Sequence, residues 1–216
     1  MKHYSLLICL FILLSFSLQG QTDPFTGSEN TKTQNYDYTN FDRISILDLD
    51  GITEIEVGKP FSVQTSIKDK YSQILEVKEN GRELVIIFKY TKDNNKYIKK
   101  PNIKVKISCP SLDSLYKRGN SEIFVSIYSQ KSLSMTNEGN GSATLKGFVE
   151  QTNLKNDGNG KLNARYLSSD TVQVKSFGNG DIVVNAKNKL EGERNGNGKI
   201  IQTGNAKLNE TKWQEN

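Results

Sequence analysis

Five times in the second half of this chain a glycine returns at nearly the same interval and brings its neighbours with it. The stretches are Gly119-Asn120-Ser121, Gly139-Asn140-Gly141, Gly158-Asn159-Gly160, Gly178-Asn179-Gly180 and Gly196-Asn197-Gly198, separated by steps of 20, 19, 20 and 18 residues. A period in this range marks a chain that stacks copies of one short unit, and it constrains architecture far more than function.

Aligned on their glycines, the repeats put Ile123, Ala143, Leu162, Ile182 and Ile200 in one column. Two residues further on stand Val125, Leu145, Ala164, Val184 and Gln202. Mixed residues lie between the two columns, the alternation of a half-buried strand. A second apolar pair precedes each glycine: Leu133 and Met135, Thr152 and Leu154, Val172 and Val174, with Leu115 in the first repeat. The last repeat has Leu190 but places Gly192 where an apolar residue is expected, so it reads as a frayed or capping turn. Two or three short strands per repeat, turned by Gly-Asn-Gly corners and stacked at about 4.8 Å, give an all-β fold. It is an N-terminal β-sheet region, residues 41–110, leading into a β-solenoid over 111–216 with coils of 18 to 20 residues.

The corners have reasons of their own that involve no ligand. Glycine, and less readily asparagine, takes the positive φ of a sharp turn. Asn120, Asn140, Asn159, Asn179 and Asn197 can also bond to their copies in adjacent coils. In the column after the motif Asp181 falls between Lys161 and Lys199, which predicts cross-coil ion pairs worth about 0.2–1 kcal/mol. Burying one Ile or Leu contributes about 1.5–3 kcal/mol, so the apolar columns decide the fold.

The N-terminal residues have a different character. A basic start at Lys2 leads into an apolar run from Leu6 to Leu18, too short to span a bilayer and suited to a signal peptide over residues 1–20 cut after Gly20, with Ser17 as the alternative. Cys9 lies inside that run with Ile8 before it, so it does not fit a lipidation signal. Its removal leaves Cys109 alone and no internal disulfide. Cys109 ends a strand pattern, Ile103 to Cys109, and reads as a small buried side chain. Residues 21–40 are polar and aperiodic, a flexible linker. From Phe41 come strand signals around Ile44 and Ile46, Ile52 to Val57 and Phe61 to Ile67, then a helical turn over Tyr71 to Leu75. Asn80-Gly81 between Leu75–Glu79 and Arg82–Phe88 is a hairpin signal. This region is expected to cap the first coil's exposed edge.

The run Cys109-Pro110-Ser111-Leu112 and Leu115, followed by the five glycine motifs, resembles the head GIN domain family of adhesins. The resemblance covers residues 41–210. It implies a β-solenoid, a right-handed β-helix, on an exported bacterial protein proposed to mediate adhesion. The chain departs from the family pattern in using asparagine where serine is common, and in keeping an acid after the motif in only two of five repeats.

Composition bears on catalysis. The single histidine, His3, lies in the predicted signal, which excludes Ser-His-Asp and Cys-His catalysis in the mature chain and, with one cysteine, ordinary zinc sites. No Gly-Lys-Ser/Thr ending follows the glycines, so phosphate loops are excluded too. Two carboxylates suffice for a glycosidase, and Glu138 and Asp157 precede successive glycines and would stack one spacing apart, with Glu122 and Asp181 in other columns. The same pair offers oxygen ligands suited to Ca²⁺. Without Lys2 the mature chain has 28 basic and 24 acidic residues, net +4. The excess gathers at Lys89, Lys92, Lys96, Lys99, Lys100, Lys104 and Lys106, with Tyr90 and Tyr97 between them, a patch that could meet an anionic polysaccharide, lipid head groups or nucleic acid. Export argues against nucleic acid. Trp213 is expected to cover the open end of the last coil. The sequence therefore points to a non-enzymatic exported binding or adhesion module, in the periplasm, at the cell surface or outside the cell. Its expected partner is a polysaccharide or another surface protein, and no catalytic, cofactor or metal residue is assigned. A carbohydrate-active β-solenoid enzyme using paired carboxylates is the alternative.

Overall fold

A computed structural model describes residues 28–89, 98 and 100–212. The signal and its cleavage site, residues 21–27 of the predicted linker, and Trp213 lie outside the described residues. The strands are β1 (Thr31–Tyr36), β2 (Arg43–Leu49), β3 (Gly51–Val57), β4 (Ser62–Lys68), β5 (Leu75–Asn80), β6 (Glu83–Phe88) and β7 (Ile103–Cys109). They continue as β8 (Ser114–Gly119), β9 (Glu122–Asn137), β10 (Ala143–Asn156), β11 (Leu162–Ser176), β12 (Ile182–Arg194), β13 (Ile200–Gln202) and β14 (Leu208–Lys212). Among the described residues the one helical element is a 3-10 turn, Asp69–Ile74, which buries Tyr71 completely.

All fourteen strands belong to one curled sheet with one core. The long strands β9 to β12 bend midway, so each contributes to both flanks. On flank A, β5, β6, β2 and β8 are followed by the C-terminal halves of β9 to β12 and by β14. On flank B, β1, β4, β7 and β3 are followed by the N-terminal halves of β9 to β12 and by β13. Ile123 pairs with Ala143, Ala143 with Leu162, Leu162 with Ile182 and Ile182 with Ile200, all in parallel. These offsets reproduce the glycine period, and the aligned apolar columns face the core from both flanks.

The expected pair of short strands per repeat is instead one continuous strand of 13 to 16 residues in β9 to β12. Pairing does not stop at the bend because register shifts there absorb the turn, as between Gly147 and Val149 and between Asn163 and Ser168. Gly147 has φ +121, and a Cβ on it would lie 1.7 Å from the Ile127 carbonyl oxygen. The last repeat is not frayed. Leu190 is buried, β12 pairs with β14 through Gly192, and a side chain at Gly192 would collide with the methyl ends of Ile200 and Leu208 that fill its place.

The N-terminal region is more than a cap. β2 and β3, joined at Asp48–Asp50, make a rung of the same kind, with β2 parallel to β8 and β3 parallel to β9. β6 and β7 make the rung before it, so the core runs unbroken across residue 110. The cap proper is antiparallel: β5 on β6, β4 on β7 and β1 on β4. β1 corrects the linker, since Thr31–Tyr36 is a strand in full register with Val63–Lys68. Its sequence, TKTQNY, shows no apolar period because, as an edge strand, it is exposed almost throughout. The hairpin stands, but Asn80 pairs with Glu83, so the loop residues are Gly81 and Arg82. Gly81 leads with φ +61, as a type II′ turn requires.

Candidate functional site

The glycine edge is held together by its own atoms. Nδ2 of Asn140 donates to Oδ1 of Asn120 at 3.3 Å, Asn159 to Asn140 at 2.8 Å, Asn179 to Asn159 at 2.7 Å and Asn197 to Asn179 at 2.8 Å. The amide ladder is therefore present. The reason for the glycines differs from the one expected. Of the motif glycines only Gly119 has positive φ, and none of the ladder asparagines does. A Cβ on Gly139, Gly158, Gly178 or Gly196 would lie 1.9–2.1 Å from a carbonyl oxygen of the glycine one rung below. The corners are packed backbone on backbone, and glycine is required by proximity rather than by torsion.

Beneath this edge runs a second polar column that the alternation pattern concealed. Lys117, fully buried, donates from Nζ to Oδ1 of Asn137 at 2.9 Å and to the carbonyls of Gly119 and Gly141 at 3.1 and 2.7 Å. Asn137 passes its Nδ2 to Oδ1 of Asn156 at 2.7 Å, and Asn156 donates to the carbonyls of Gly160 and Gly180. Burial pushes the Lys117 ammonium down to about 8. These side chains satisfy the inward carbonyls of the corners, which water cannot reach.

The expected charge column does not form ion pairs. Asp181 accepts from the Lys199 backbone N–H at 2.9 Å, and Ser142 Oγ accepts likewise from Lys161 N–H at 3.2 Å. A backbone donor one rung away is fixed in place, whereas a lysine ammonium must be immobilised to compete.

Glu138 and Asp157 do occupy successive rungs, since their preceding residues Asn137 and Asn156 are in register. Each has another partner. Glu138 accepts from the Tyr116 hydroxyl, and Asp157 pairs with Lys155 at 2.5 Å. Burial, reinforced by the Glu138 carboxylate, pushes the Tyr116 phenol up. Beside them Asp48, in the left-handed region at φ +56, takes a two-pronged contact from Arg118 at 3.0 and 2.6 Å. Among the described residues no three His, Cys, Asp or Glu side chains gather as a metal site. Cys109 is buried as expected, and burial pushes its thiol up to about 12.

Of the basic patch, Lys92, Lys96, Lys99, Tyr90 and Tyr97 lie outside the described residues. Lys89 pairs with Glu76, and Lys106 approaches Glu54 at 3.9 Å. Lys100 lines a cavity of about 800 Å³ with Asp48, Lys89 and Gly119.

The outer face of flank B carries what the sequence reading missed. Tyr128 is 89% exposed, Tyr166 66%, Phe124 43% and Ile52 39%. Register places them together. Glu56, Ser126, Lys146 and Tyr166 follow one another across β3, β9, β10 and β11, and Tyr128 and Phe148 stand beside that row on adjacent rungs. A groove of about 510 Å³ runs past Glu54, Lys106, Ser108 and Phe124. A second, of about 330 Å³, holds Lys59, Tyr128 and Gly147, and both share Glu56, Ser126 and Lys146. Lys187 lies over the Phe148 ring at 4.7 Å. Among the described residues Lys59, Lys131, Lys146 and Arg165 make no ion pair. A signal was available: with Ile123, Val125 and Ile127 inward, Phe124 and Tyr128 must point outward.

Taken together, the fold defines an all-β protein with a curled, largely parallel sheet, one flank of which presents aromatic rings to solvent. Among the described residues no helix is long and apolar enough to cross a membrane. The chain belongs to the family described as "Putative auto-transporter adhesin, head GIN domain", whose model matches residues 40–206. A solved structure from Bacteroides fragilis, called a putative adhesin, is similar at 18% identity and a TM-score of 0.59, covering 85% of this chain and 98% of that one. Another, from Parabacteroides distasonis and called a putative lipid binding protein, is 16% identical with a TM-score of 0.50, covering 86% and 94%. At these identities the likeness is one of fold. No curated protein matches the chain.

Proposed function

We propose that this chain is exported, with residues 1–20 removed, and serves as a non-catalytic binding module facing partners in the periplasm, at the cell surface or beyond it. We read its rungs as a right-handed β-solenoid. The equality of strand offset and glycine period supports the solenoid, and the general preference of parallel crossovers supports the hand. The observation that carries the binding reading is the row of exposed rings on flank B. Tyr128 and Tyr166 are held in solvent on β9 and β11, the strands either side of β10, where apolar area has a cost unless a partner covers it. The names given to the family and to its Bacteroides relative, adhesins both, agree with such a role. The alternative of a carboxylate-pair enzyme is disfavoured by Tyr116 and Lys155, which engage Glu138 and Asp157 separately. A glycan array with reducing-sugar release measured alongside tests both. Retention of defined glycans without release is the expected result, and release that Glu138→Gln or Asp157→Asn abolishes would overturn it.

A further inference from the structure

The row on flank B has a chemistry more specific than apolar exposure. Resting on the binding-module reading above, we propose that it is the docking site for an anionic polysaccharide of the uronic-acid type. Three rungs in succession contribute exposed rings and cations between them: Tyr128 on β9, Lys146 on β10, and Tyr166 with Arg165 on β11. Tyr128 shares its groove with Lys59 and Lys146, Lys146 pairs in register with Tyr166, and Arg165 precedes Tyr166 on the same strand. Lys59, Lys146 and Arg165 make no ion pair among the described residues, so their charge is available to a ligand. Lys187 is committed to Asp170 and the Phe148 ring.

The sugar's faces suit the rings, because its C–H groups are apolar and weakly positive and stack on an aromatic face. Carboxylates spaced along the polymer suit the lysines and arginine. Its hydroxyls suit the other members of the grooves, Glu54, Glu56, Ser108 and Ser126. Successive rungs repeat at about 4.8 Å, so an extended polymer laid along the stack meets a ring, a cation or both at each step from β9 to β11. An anionic lipid surface fits less well. The exposed rings are spread along the stack rather than gathered at a tip that could insert.

The test uses the protein as its own cell processes it. Binding is measured to polygalacturonate oligosaccharides, to their fully methyl-esterified counterparts, and to vesicles of phosphatidylcholine with and without phosphatidylglycerol. The expected result is binding of the free acid that weakens with salt, is at least about tenfold weaker for the ester, and falls about tenfold in Tyr128→Ala, Tyr166→Ala and Lys146→Glu. Tyr128→Phe and Tyr166→Phe keep the rings and should keep the affinity, and unchanged melting curves in all variants separate loss of binding from loss of fold. Equal binding of acid and ester, or no binding of the acid, overturns the proposal. So does uptake on anionic vesicles with the same variant dependence and no oligosaccharide binding. Glycan binding that survives every variant overturns this site but leaves the binding-module reading standing, whereas sugar release from the oligosaccharides removes that reading itself.

Discussion

Nζ of Lys117 lies 2.9 Å from Oδ1 of Asn137, with no exposed surface on either residue. The lysine starts a buried chain of donors: the ammonium gives to the asparagine, the asparagine to the next asparagine, and that one to corner carbonyls. No carboxylate is among the ammonium's bonded partners, so the charge is stabilised by dipoles alone.

Stability should therefore depend on pH through Lys117. Its folded value of about 8 lies below the ordinary 10.5, so between these values the unfolded chain holds the proton that the folded chain has released. Raising pH through that window favours the folded state, and below it the full cost of burying the charge is present. Relative to Lys117→Met, the wild type should gain stability on the order of 2–3 kcal/mol between pH 7.5 and 10.5. Urea unfolding of both proteins at several pH values reads this difference, in which other titrations cancel.

Gly158→Ala should cost about 3 kcal/mol or prevent folding, because the new methyl lies 2.1 Å from the Gly139 carbonyl oxygen and both are backbone-fixed. Gly81→Ala meets no atom within 4 Å and bears only its torsional cost at φ +61, about 1–2 kcal/mol. If the two variants unfold at the same urea concentration, close packing is not what the corners require.

Asn159→Ala removes two ladder bonds, to Asn140 and from Asn179, whereas Asn197→Ala removes the single one to Asn179. The interior change should lower Tm by about 2–4 °C, for a loss near 1 kcal/mol, and the terminal change by less. An unchanged Tm for Asn159→Ala would show the ladder to be incidental.

Calcium at millimolar concentration should leave the melting curve where it is, since Glu138 and Asp157 are engaged by Tyr116 and Lys155. A rise in Tm that disappears in Asp157→Asn would establish a metal role for the pair.

Much of this could be read in advance because the period copies itself into the register. Once Ile123 and Ala143 share a column, their pairing follows, and the hairpin around Gly81 declares itself locally. Three features could not be read. The interleaving of β2 and β3 between β6–β7 and β8–β9 rests on pairings distant in sequence, and no local pattern encodes them. Lys117 occupies an inward position that a lysine rarely takes, and only the carbonyls of Gly119 and Gly141 explain it. The glycines suggested torsion because their most familiar use is in turns, while close approach between rungs shows only when the neighbouring rung is in place.

The interleaved rung has a consequence for biosynthesis. Both neighbours of β2 and β3 come later in the chain, so these strands stay unpaired on either edge as they leave the ribosome. The rung they form cannot be covered on both edges until β8 and β9, from Ser114 onward, have emerged, after which the remaining rungs can add one at a time, each onto a finished edge. The molecule is thus slow to start and quick to extend. A nascent chain of its first hundred residues ends before β7, so the β2–β3 rung has β6 as its one available neighbour and stays incomplete, a form that suits passage through a narrow channel.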